Sequence, residues 1–391
     1  ERVNSARVRP LSYKITPDCV GDTVTFSLSR PRNLSVEVNG DIFHNLHLFA
    51  NPIDKFRPSD KEIQRALKKK KGSNLIYFGP GVHNLPNDTL FVPSGTTVYI
   101  DGGARVYGNI FTEGAHDVNI FGRGEVHPDG RGAGVWVRRS KNVRIDGIVV
   151  SQLPIGQCDS VELTNVKSIS YYGWGDGMDV FSSSNVILDG VFCRNSDDCA
   201  AVYASTQGFK GGSNNVLVKN ATLWADVAHP INIGGHGDPN GMDTVQNVTF
   251  RNIDILDQAE KQVDYQGCLA INPGDNTLVR NITFENIRIE DFRNGQLVNF
   301  RISFNPKYCV STGRGIQNVL VKDVTYNGSG ENLSIIAGYD ENHKISGIRF
   351  VNLVVNGRKI TDDMPGKPKW YKTGDMAGIF VGEHVENLSF E

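Results

Sequence analysis

The sequence predicts an all-β protein: a right-handed single-stranded parallel β-helix preceded by a small β-sandwich-like module. Three observations support this fold class. A short phrase beginning with asparagine recurs along most of the chain, glycine supplies 42 of the 391 residues, and short alternating apolar runs are separated by turn residues. Repeats built from strands and corners, rather than from helix pairs, are typical of a parallel β-solenoid.

Residues 1–54 form the predicted N-terminal module. Alternating apolar runs there predict strands at 8–15, 23–28 and 34–38. The dipeptide Asn39-Gly40 is a hairpin-type turn, because both residues tolerate the positive φ that such turns require. We expect this module to have a structural role.

Residues 55–391 are assigned to the β-helix. Ser59 and Glu62 form a capping-box pattern, which predicts a short helix that covers the open N-terminal end of the solenoid. Four lysines at 68–71 follow this helix, and such a run is more often a solvated helix end than a nucleic-acid contact.

The repeated phrase sets the period of the predicted solenoid. Its clearest copies begin at Asn142, Asn185, Asn215, Asn247, Asn281 and Asn318. With a looser copy at Asn165, the intervals run from about 20 to 37 residues, and they lengthen after Asn185. A large β-sandwich, the alternative, would not place asparagine at the same corner each time. We therefore expect parallel pairing from about residue 74 onward, with extra loop beside the later coils.

Composition limits the partners of the chain. The 41 basic and 43 acidic residues nearly cancel to a net charge of −2, which gives no electrostatic case for nucleic acid. No apolar run is long enough to cross a bilayer. The chain starts at Glu1 without a leader pattern, as a processed secretory protein or a trimmed sequence would. The sequence leaves the oligomeric state open.

The six cysteines contain no C-x-x-C pair, so the sequence predicts neither a metal site nor a cofactor. Cys193 and Cys199 flank a pair of aspartates. They could form a small disulfide loop in an oxidising compartment, or remain two buried thiols inside a coil.

An unusual cluster of acids lies between residues 171 and 203. Asp176 and Asp197 are about 21 positions apart, close to the shortest coil of the repeat, and Asp198 follows directly. Stacked coils are about 4.8 Å apart, so these three carboxylates should share one patch. Like charges that close raise at least one pKa and leave a proton available at neutral pH. Asp179 lies an odd number of residues from Asp176, which predicts the opposite face and excludes it from the set.

The next coil contributes His229, whose distance from Asp198 matches the local repeat interval. This register makes His229 a candidate for orienting the acid or binding a sugar. Trp174 and Tyr203 interleave with the acids and are the aromatic candidates for sugar contact. Aromatic residues in such folds also fill or cover the core, so this assignment has a structural alternative.

These motifs resemble the right-handed β-helix glycoside hydrolases, the clan of polygalacturonases, dextranases and isopullulanases. The polygalacturonase segment N-T-D-G-x-D is similar to G-D-G-M-D-V at 175–180, and the segment N/G-D-D is similar to N-S-D-D at 195–198. The sequence A-H-P at 228–230 occupies the place of G-H-G. The resemblance covers roughly residues 55–390 and implies a β-helix fold, a carbohydrate substrate and a secreted or periplasmic location.

Two departures from the polygalacturonase pattern bear on the substrate. The Arg-Ile-Lys motif that holds a substrate carboxylate is replaced by G-C-L-A-I at 267–271, which lacks a basic residue. The N-terminal module and F-R-I at 300–302 are more similar to the dextranase and isopullulanase side. We therefore expect a neutral or weakly charged polysaccharide or oligosaccharide as the substrate, with an α-glucan as the first guess and a pectin hydrolase as the alternative.

The resemblance implies an inverting hydrolase, in which one carboxyl protonates the leaving oxygen and a carboxylate activates water. By motif, Asp197 is the general acid, while Asp176 and Asp198 together position and deprotonate the water. A polysaccharide lyase would need a nearby cation, which the acid cluster does not supply. A non-catalytic glycan-binding β-helix would have no need for three clustered acids, although a degenerate hydrolase could keep them.

Overall fold

The computed structural model describes residues 2–68, 72–128, 130–329 and 331–391. Three of the four lysines after the first helix, at 69–71, lie outside the described residues. The N-terminal part contains the strands β1 (Ala6–Arg9), β2 (Asp18–Val20), β3 (Thr23–Thr25), β4 (Arg32–Val38) and β5 (Asp41–Ala50). Strands β1, β4 and β5 form an antiparallel sheet, and β2 pairs with β3.

This part differs from the predicted strands in several places: β2 was not predicted, and β3 ends at Thr25. The run at 8–15 is broken after Arg9, where a 3₁₀ turn at Leu11–Tyr13 follows Pro10. Strand β5 was not predicted, because the polar residues His44, Asn45 and His47 interrupt its alternation. It pairs with β4 across the turn at Asn39-Gly40, where both residues have positive φ.

Helix α1 (Asp60–Leu67) begins at the predicted capping box: the Ser59 hydroxyl accepts from the Glu62 N–H, and the Glu62 carboxylate accepts from the Ser59 N–H at 2.8 Å. Ile63 is buried, whereas Leu67 is exposed. The helix packs against the first strand of the solenoid.

The rest of the chain is a ladder of short strands. In chain order they are β6 (Leu75–Phe78), β7 (Gly81–Phe91), β8 (Thr97–Ile100), β9 (Ala104–Glu113), β10 (His116–Gly122), β11 (Glu125–His127), β12 (Val135–Arg138), β13 (Lys141–Asp146), β14 (Val149–Val150), β15 (Ile155–Gly156), β16 (Asp159–Thr164), β17 (Lys167–Ile169), β18 (Met178–Phe181), β19 (Ser184–Asp189), β20 (Phe192–Asn195) and β21 (Ala200–Tyr203). They continue as β22 (Ser213–Lys219), β23 (Thr222–Ala225), β24 (Ile231–Ile233), β25 (Thr244–Asp257), β26 (Leu269–Ile271), β27 (Leu278–Ile289), β28 (Gly295–Gln296), β29 (Val298–Arg301), β30 (Gly315–Tyr326), β31 (Glu331–Asn332), β32 (Ser334–Ala337), β33 (Ile345–Val355), β34 (Arg358–Ile360), β35 (Ile379–Val381) and β36 (Val385–Phe390). A 3₁₀ turn covers Val263–Tyr265, and helix α2 covers Thr373–Ala377.

All of these strands except β28, β31 and β34 stack into three parallel sheets, which confirms the predicted right-handed parallel β-helix. Sheet 1 contains β6, β8, β10, β13, β16, β19, β22, β36 and the first parts of β25, β27, β30 and β33. Sheet 2 contains the first parts of β7 and β9, then β11, β14, β17, β20 and β23, and the last parts of the long strands. Sheet 3 contains the last parts of β7 and β9, followed by β12, β15, β18, β21, β24, β26, β29, β32 and β35.

The repeated asparagines all start sheet 1 in the left-handed conformation, with φ between 54° and 57°. Asparagine tolerates this region better than most residues, and its side chain can bond to the next coil. Asn215 donates to Asn185 at 2.7 Å, and Asn281 donates to Asn247 at 3.2 Å. The strands of Asn215 and Asn247 pair in parallel, as the phrase predicts.

The coil interior is filled by aliphatic residues and by a stack of phenylalanines, in which Phe250–Phe284 and Phe284–Phe300 are each 5.9 Å apart. Cys193 and Cys199 are both buried there as free thiols, so the disulfide alternative is wrong. Neither α-helix in the described part of the chain is long and apolar enough to cross a membrane.

The N-terminal part is anchored to the solenoid by buried charges. Arg9 pairs with Glu37 at 2.9 Å and with Glu290, which follows β27, at 2.7 Å, and it lies over the ring of Trp224. Lys167 is fully buried nearby and donates to Asn51 and to the carbonyl of Gly147. These contacts hold β4 and β5 against sheet 2.

Candidate active site

The backbone around the acid cluster packs too tightly for side chains at two glycines. A Cβ on Gly175 would lie 2.4 Å from the Ser196 hydroxyl, and one on Gly177 would lie 2.2 Å from the Cys199 carbonyl. The buried Asn195 side chain donates to the Asp176 carbonyl at 3.2 Å. The phrase G-D-G therefore seats Asp176 directly against the turn that carries the aspartate pair.

Asp176, Asp197 and Asp198 come together as the sequence predicts. One carboxylate oxygen from each lies within 4.8 Å of the other two. Asp176 and Asp197 are partly exposed, whereas Asp198 is 1% exposed. The site thus has two accessible carboxyl groups above one that is buried.

Asp198 is surrounded by donors. Its Oδ1 accepts from the backbone N–H of His229 at 3.0 Å and from His229 Nδ1 at 2.7 Å. Its Oδ2 accepts from Tyr203 Oη at 2.5 Å, Asn232 Nδ2 at 2.8 Å and, more distantly, Tyr265 Oη at 3.3 Å. An ionised carboxylate offers about four lone-pair sites, so protein donors fill this group.

These environments separate the pKa values of the three acids. Burial alone would raise the pKa of Asp198, but the charge and hydrogen bond of His229, together with hydrogen bonds from Tyr203 and Asn232, lower it to about 2. Burial, reinforced by the charge of Asp198, raises the pKa of Asp176 to about 7 and that of Asp197 to about 8. The cluster thus holds one fixed carboxylate beside two groups that exchange protons near neutral pH.

The alternation argument that excluded Asp179 does not hold in the structure. The strand begins at Met178, so Asp176 lies in the preceding turn and the period-two rule does not connect the two aspartates. Met178 and Val180 point into the core, which puts Asp179 on the outward face. Burial first, and then the charges of Asp176 and Asp198, raise the pKa of Asp179 well above its usual value. Counting alternation from Met178 would have found it.

The other predicted site residues occupy different depths. His229 and Tyr203 are buried and contact Asp198 rather than the open groove. Trp174 is 68% exposed, in the turn before Asp176, with a positive φ of 64°. Its ring is therefore available to a ligand, while the other two residues reach a ligand only through Asp198.

Later coils contribute residues that the sequence reasoning missed. Tyr265 lies edge-on against His229, with ring centres 4.2 Å apart, and stacks on Tyr308 at 4.9 Å. The ammonium group of Lys307 lies 4.7 Å from the Tyr308 ring. Its hydrogen bond with Tyr308, and more weakly charges that include Asp197, raise the pKa of Lys307. The positive charge of Lys307 therefore interacts with the acid cluster, although no sequence motif indicates it.

The acid cluster also has the donor set and spacing for one divalent cation, with one oxygen from each aspartate. Metal ligation needs deprotonated ligands. Burial and the charge of Asp198 instead favour the protonated form of Asp197 at neutral pH, and they bring the pKa of Asp176 to about 7, where it exchanges its proton. The arrangement favours proton transfer over ligation.

The fold and this cluster define a β-helix protein with a carboxylate site of the glycosidase type. Residues 133–363, which include all three acids and Lys307, match the sequence profile of Glycosyl hydrolases family 28. The match covers more than half of the chain, and the chain belongs to this family.

Relatives agree with this placement. A polygalacturonase from Juniperus ashei is 26% identical over 295 residues, which cover 67% of this chain and 54% of the relative. The chain spans about half the length of the curated relatives it matches. Among solved structures, Dex49A from Penicillium minioluteum superposes with a TM-score of 0.63 at 14% identity, covering 100% of this chain and 79% of its own. The family 28 exopolygalacturonase of Yersinia enterocolitica gives 0.58 at 13% identity, covering 96% and 86%. At these identities the structural likenesses show the fold alone.

Proposed function

We propose that this chain hydrolyses glycosidic bonds in a uronate-containing polysaccharide of the pectin class. The observation that carries the proposal is the acid cluster, in which burial and the fixed charge of Asp198 keep a proton on Asp197. A carboxyl group with a raised pKa, next to an ionised one, is the arrangement that glycoside hydrolysis uses.

Asp197 acts as the general acid that protonates the leaving oxygen. Asp176 takes the proton from the attacking water, because the lone pairs of Asp198 are already occupied by protein donors. Asp198 supplies the fixed negative charge, and His229 and Tyr203 position it. Trp174 offers an exposed ring to a sugar. This division modifies the expectation that Asp176 and Asp198 share the water.

The expectation of a neutral α-glucan has less support than its alternative. The curated relatives include a polygalacturonase, an exopolygalacturonase and a protein named as a probable endo-xylogalacturonan hydrolase. The likeness to the dextranase-named structure is one of fold. The absence of a basic motif at 267–271 is also weaker evidence against a uronate substrate, because Lys307 can meet a substrate carboxylate from a neighbouring loop. A polysaccharide substrate of this class is consistent with the expected secreted or periplasmic location.

Inversion is what the family resemblance implies, but the spacing is compact. Inverting enzymes usually separate their carboxyl groups by about 6.5–9.5 Å to admit a water, and retaining enzymes by about 5–5.5 Å. The nearest oxygens of the three acids lie within 4.8 Å of one another. This is a distance between single atoms, which is shorter than the separation of the carboxyl groups, so inversion stays the proposed outcome.

The test is a panel of polygalacturonate, pectin, dextran and pullulan, followed for new reducing ends and for absorbance of unsaturated products. We expect reducing ends from the galacturonate polymers alone, without unsaturation and without loss of activity in EDTA. Release from the glucans alone would refute the substrate, and unsaturated products would refute hydrolysis. NMR of the first anomer released separates inversion from retention.

A further inference from the structure

Sheet 3 carries a row of aromatic rings on the coils that precede the acid cluster. Phe91, Phe111 and Trp136 are direct neighbours in the register of β7, β9 and β12. Adjacent ring centres are 5.3 Å and 6.4 Å apart, with planes inclined by 25° and 12°. Since Ile110 and Val135 point into the core, these rings face outward. We call this row, together with Arg138, the aromatic strip.

The strip continues the surface that holds the acids. The strand of Trp136 pairs with β15, and β15 pairs with β18, which carries Asp179. Two strand spacings are about 10 Å, so the strip begins one or two sugar units from the cluster. Tyr172, in the turn before Asp176, hydrogen-bonds Gly132 in the loop before Trp136. The two regions therefore share one wall.

Arg138 gives the strip a positive charge. Its guanidinium group lies 4.1 Å from the centre of Trp136 and 4.7 Å from that of Phe111. Its Nε is buried without a hydrogen-bond partner among the described residues, and the contact of its Nη1 with Glu113, at 3.9 Å, is longer than a hydrogen bond. Arg139 pairs with the same glutamate at 3.0 Å. Two arginines facing one glutamate leave a net charge of about +1.

We propose that the aromatic strip is a distal subsite that binds an acidic sugar residue of the same polysaccharide chain. The inference rests on the proposed function. The rings offer flat apolar surface for sugar faces, and the planar guanidinium group suits bidentate contact with a uronate carboxylate. Arg138 in the strip is a second cation for the polymer. It lies on a coil before the acids, whereas Lys307 lies on a coil after them.

The experiment compares wild type with Arg138→Gln and Trp136→Leu on oligogalacturonides of increasing length. We expect Arg138→Gln to raise KM about tenfold on long oligomers, equivalent to about 1.4 kcal/mol, with kcat unchanged. The shortest cleavable oligomers, which do not reach the strip, should be unaffected. Arg138→Lys should recover part of the loss, and long oligomers whose carboxyl groups have been reduced to alcohols should not distinguish wild type from Arg138→Gln.

Two matched controls lie elsewhere. Phe380 is exposed on the outward face of sheet 3 at the far end of the solenoid, and Arg144 is exposed on sheet 1. Phe380→Ala and Arg144→Gln should leave every KM unchanged. Thermal melting of all variants separates folding from binding.

The outcomes separate the two proposals. If wild type hydrolyses oligogalacturonides, and KM depends on oligomer length in Arg138→Gln and Trp136→Leu as it does in wild type, the distal subsite alone would be overturned. Failure of the wild-type chain either to cleave or, by calorimetry, to bind a long oligogalacturonide would overturn both the subsite and the proposed substrate.

Discussion

Replacing Asp197 with Asn isolates the proton that the site is arranged to deliver. The pKa of about 8 means that, at pH 6, only about one molecule in a hundred has lost this proton. Asparagine is neutral and has nearly the same shape, so the variant resembles the resting enzyme but cannot transfer a proton. We expect it to fold normally.

The expected loss of rate follows from the role of Asp197 as the proton donor. General acid assistance contributes about 10²–10⁴-fold, so kcat on unmodified oligogalacturonides should fall by that factor. An aryl oligogalacturonide leaves as a stable phenolate and needs little protonation, so its rate should fall much less. With wild type, the rate on unmodified substrates should decline as the pH rises through about 8, because Asp197 then loses its proton. The variant should lack this decline.

The assay is steady-state kinetics on both substrate types from pH 5 to 9. Asp159→Asn is the matched control, since Asp159 is a half-exposed aspartate on sheet 1 that accepts from Asn185; it should behave as wild type. Asp176→Asn should slow both substrate types alike, because water attack is common to them. Full activity of Asp197→Asn, or equal losses on the two substrates, would refute the assignment.

Three further predictions concern stability, measured by urea unfolding. Arg9→Ala should lower the free energy of unfolding by about 3–5 kcal/mol, because it leaves the buried Glu290 without its ion-pair partner and takes one of two arginines from the buried Glu37, whereas Arg7→Ala, at a half-exposed pair, should cost less than about 1 kcal/mol. Burial, then the charge of Arg123, lowers the pKa of Lys167 to about 7. The unfolded chain therefore binds a proton that the native state does not, and stability should rise by roughly 2 kcal/mol from pH 7 to 9; a Lys167→Met variant that kept this slope would refute the cause. Asn281→Ala should cost about 1–2 kcal/mol more than Asn281→Gly, because glycine tolerates the φ of 56° and alanine does not.

The repeated asparagine phrase could predict the solenoid because it encodes a local backbone requirement. A left-handed residue at one corner of each coil strongly favours asparagine, and the bond from Asn215 to Asn185 aligns successive coils. Three of the acids could be predicted for the same reason, since Asp176 and Asp197 are separated by one coil. Local spacing was enough wherever the neighbours in space are the same positions on adjacent coils.

Other site residues depend on features that spacing does not encode. Tyr265 and Lys307 lie in loops of unequal length, so their positions over the acids follow from how each loop folds. Asp179 was misjudged because the position where the turn ends and the strand begins sets which face it occupies. Tyr203 gave an aromatic signal suited to sugar binding, but its hydroxyl is used by the buried Asp198.

In a solenoid, a motif missing from one strand is weak evidence against a charged substrate. Arg-Ile-Lys would place two cations on one strand, and the corresponding strand β26 has none. In a stacked fold, however, any coil or loop bordering the groove can supply a charge. Lys307 comes from a loop after the acids, and Arg138 comes from a strand before them. A chain with one carboxylate per sugar can meet these cations at separate units, so the recognition of a polymer does not require them to be adjacent in the sequence.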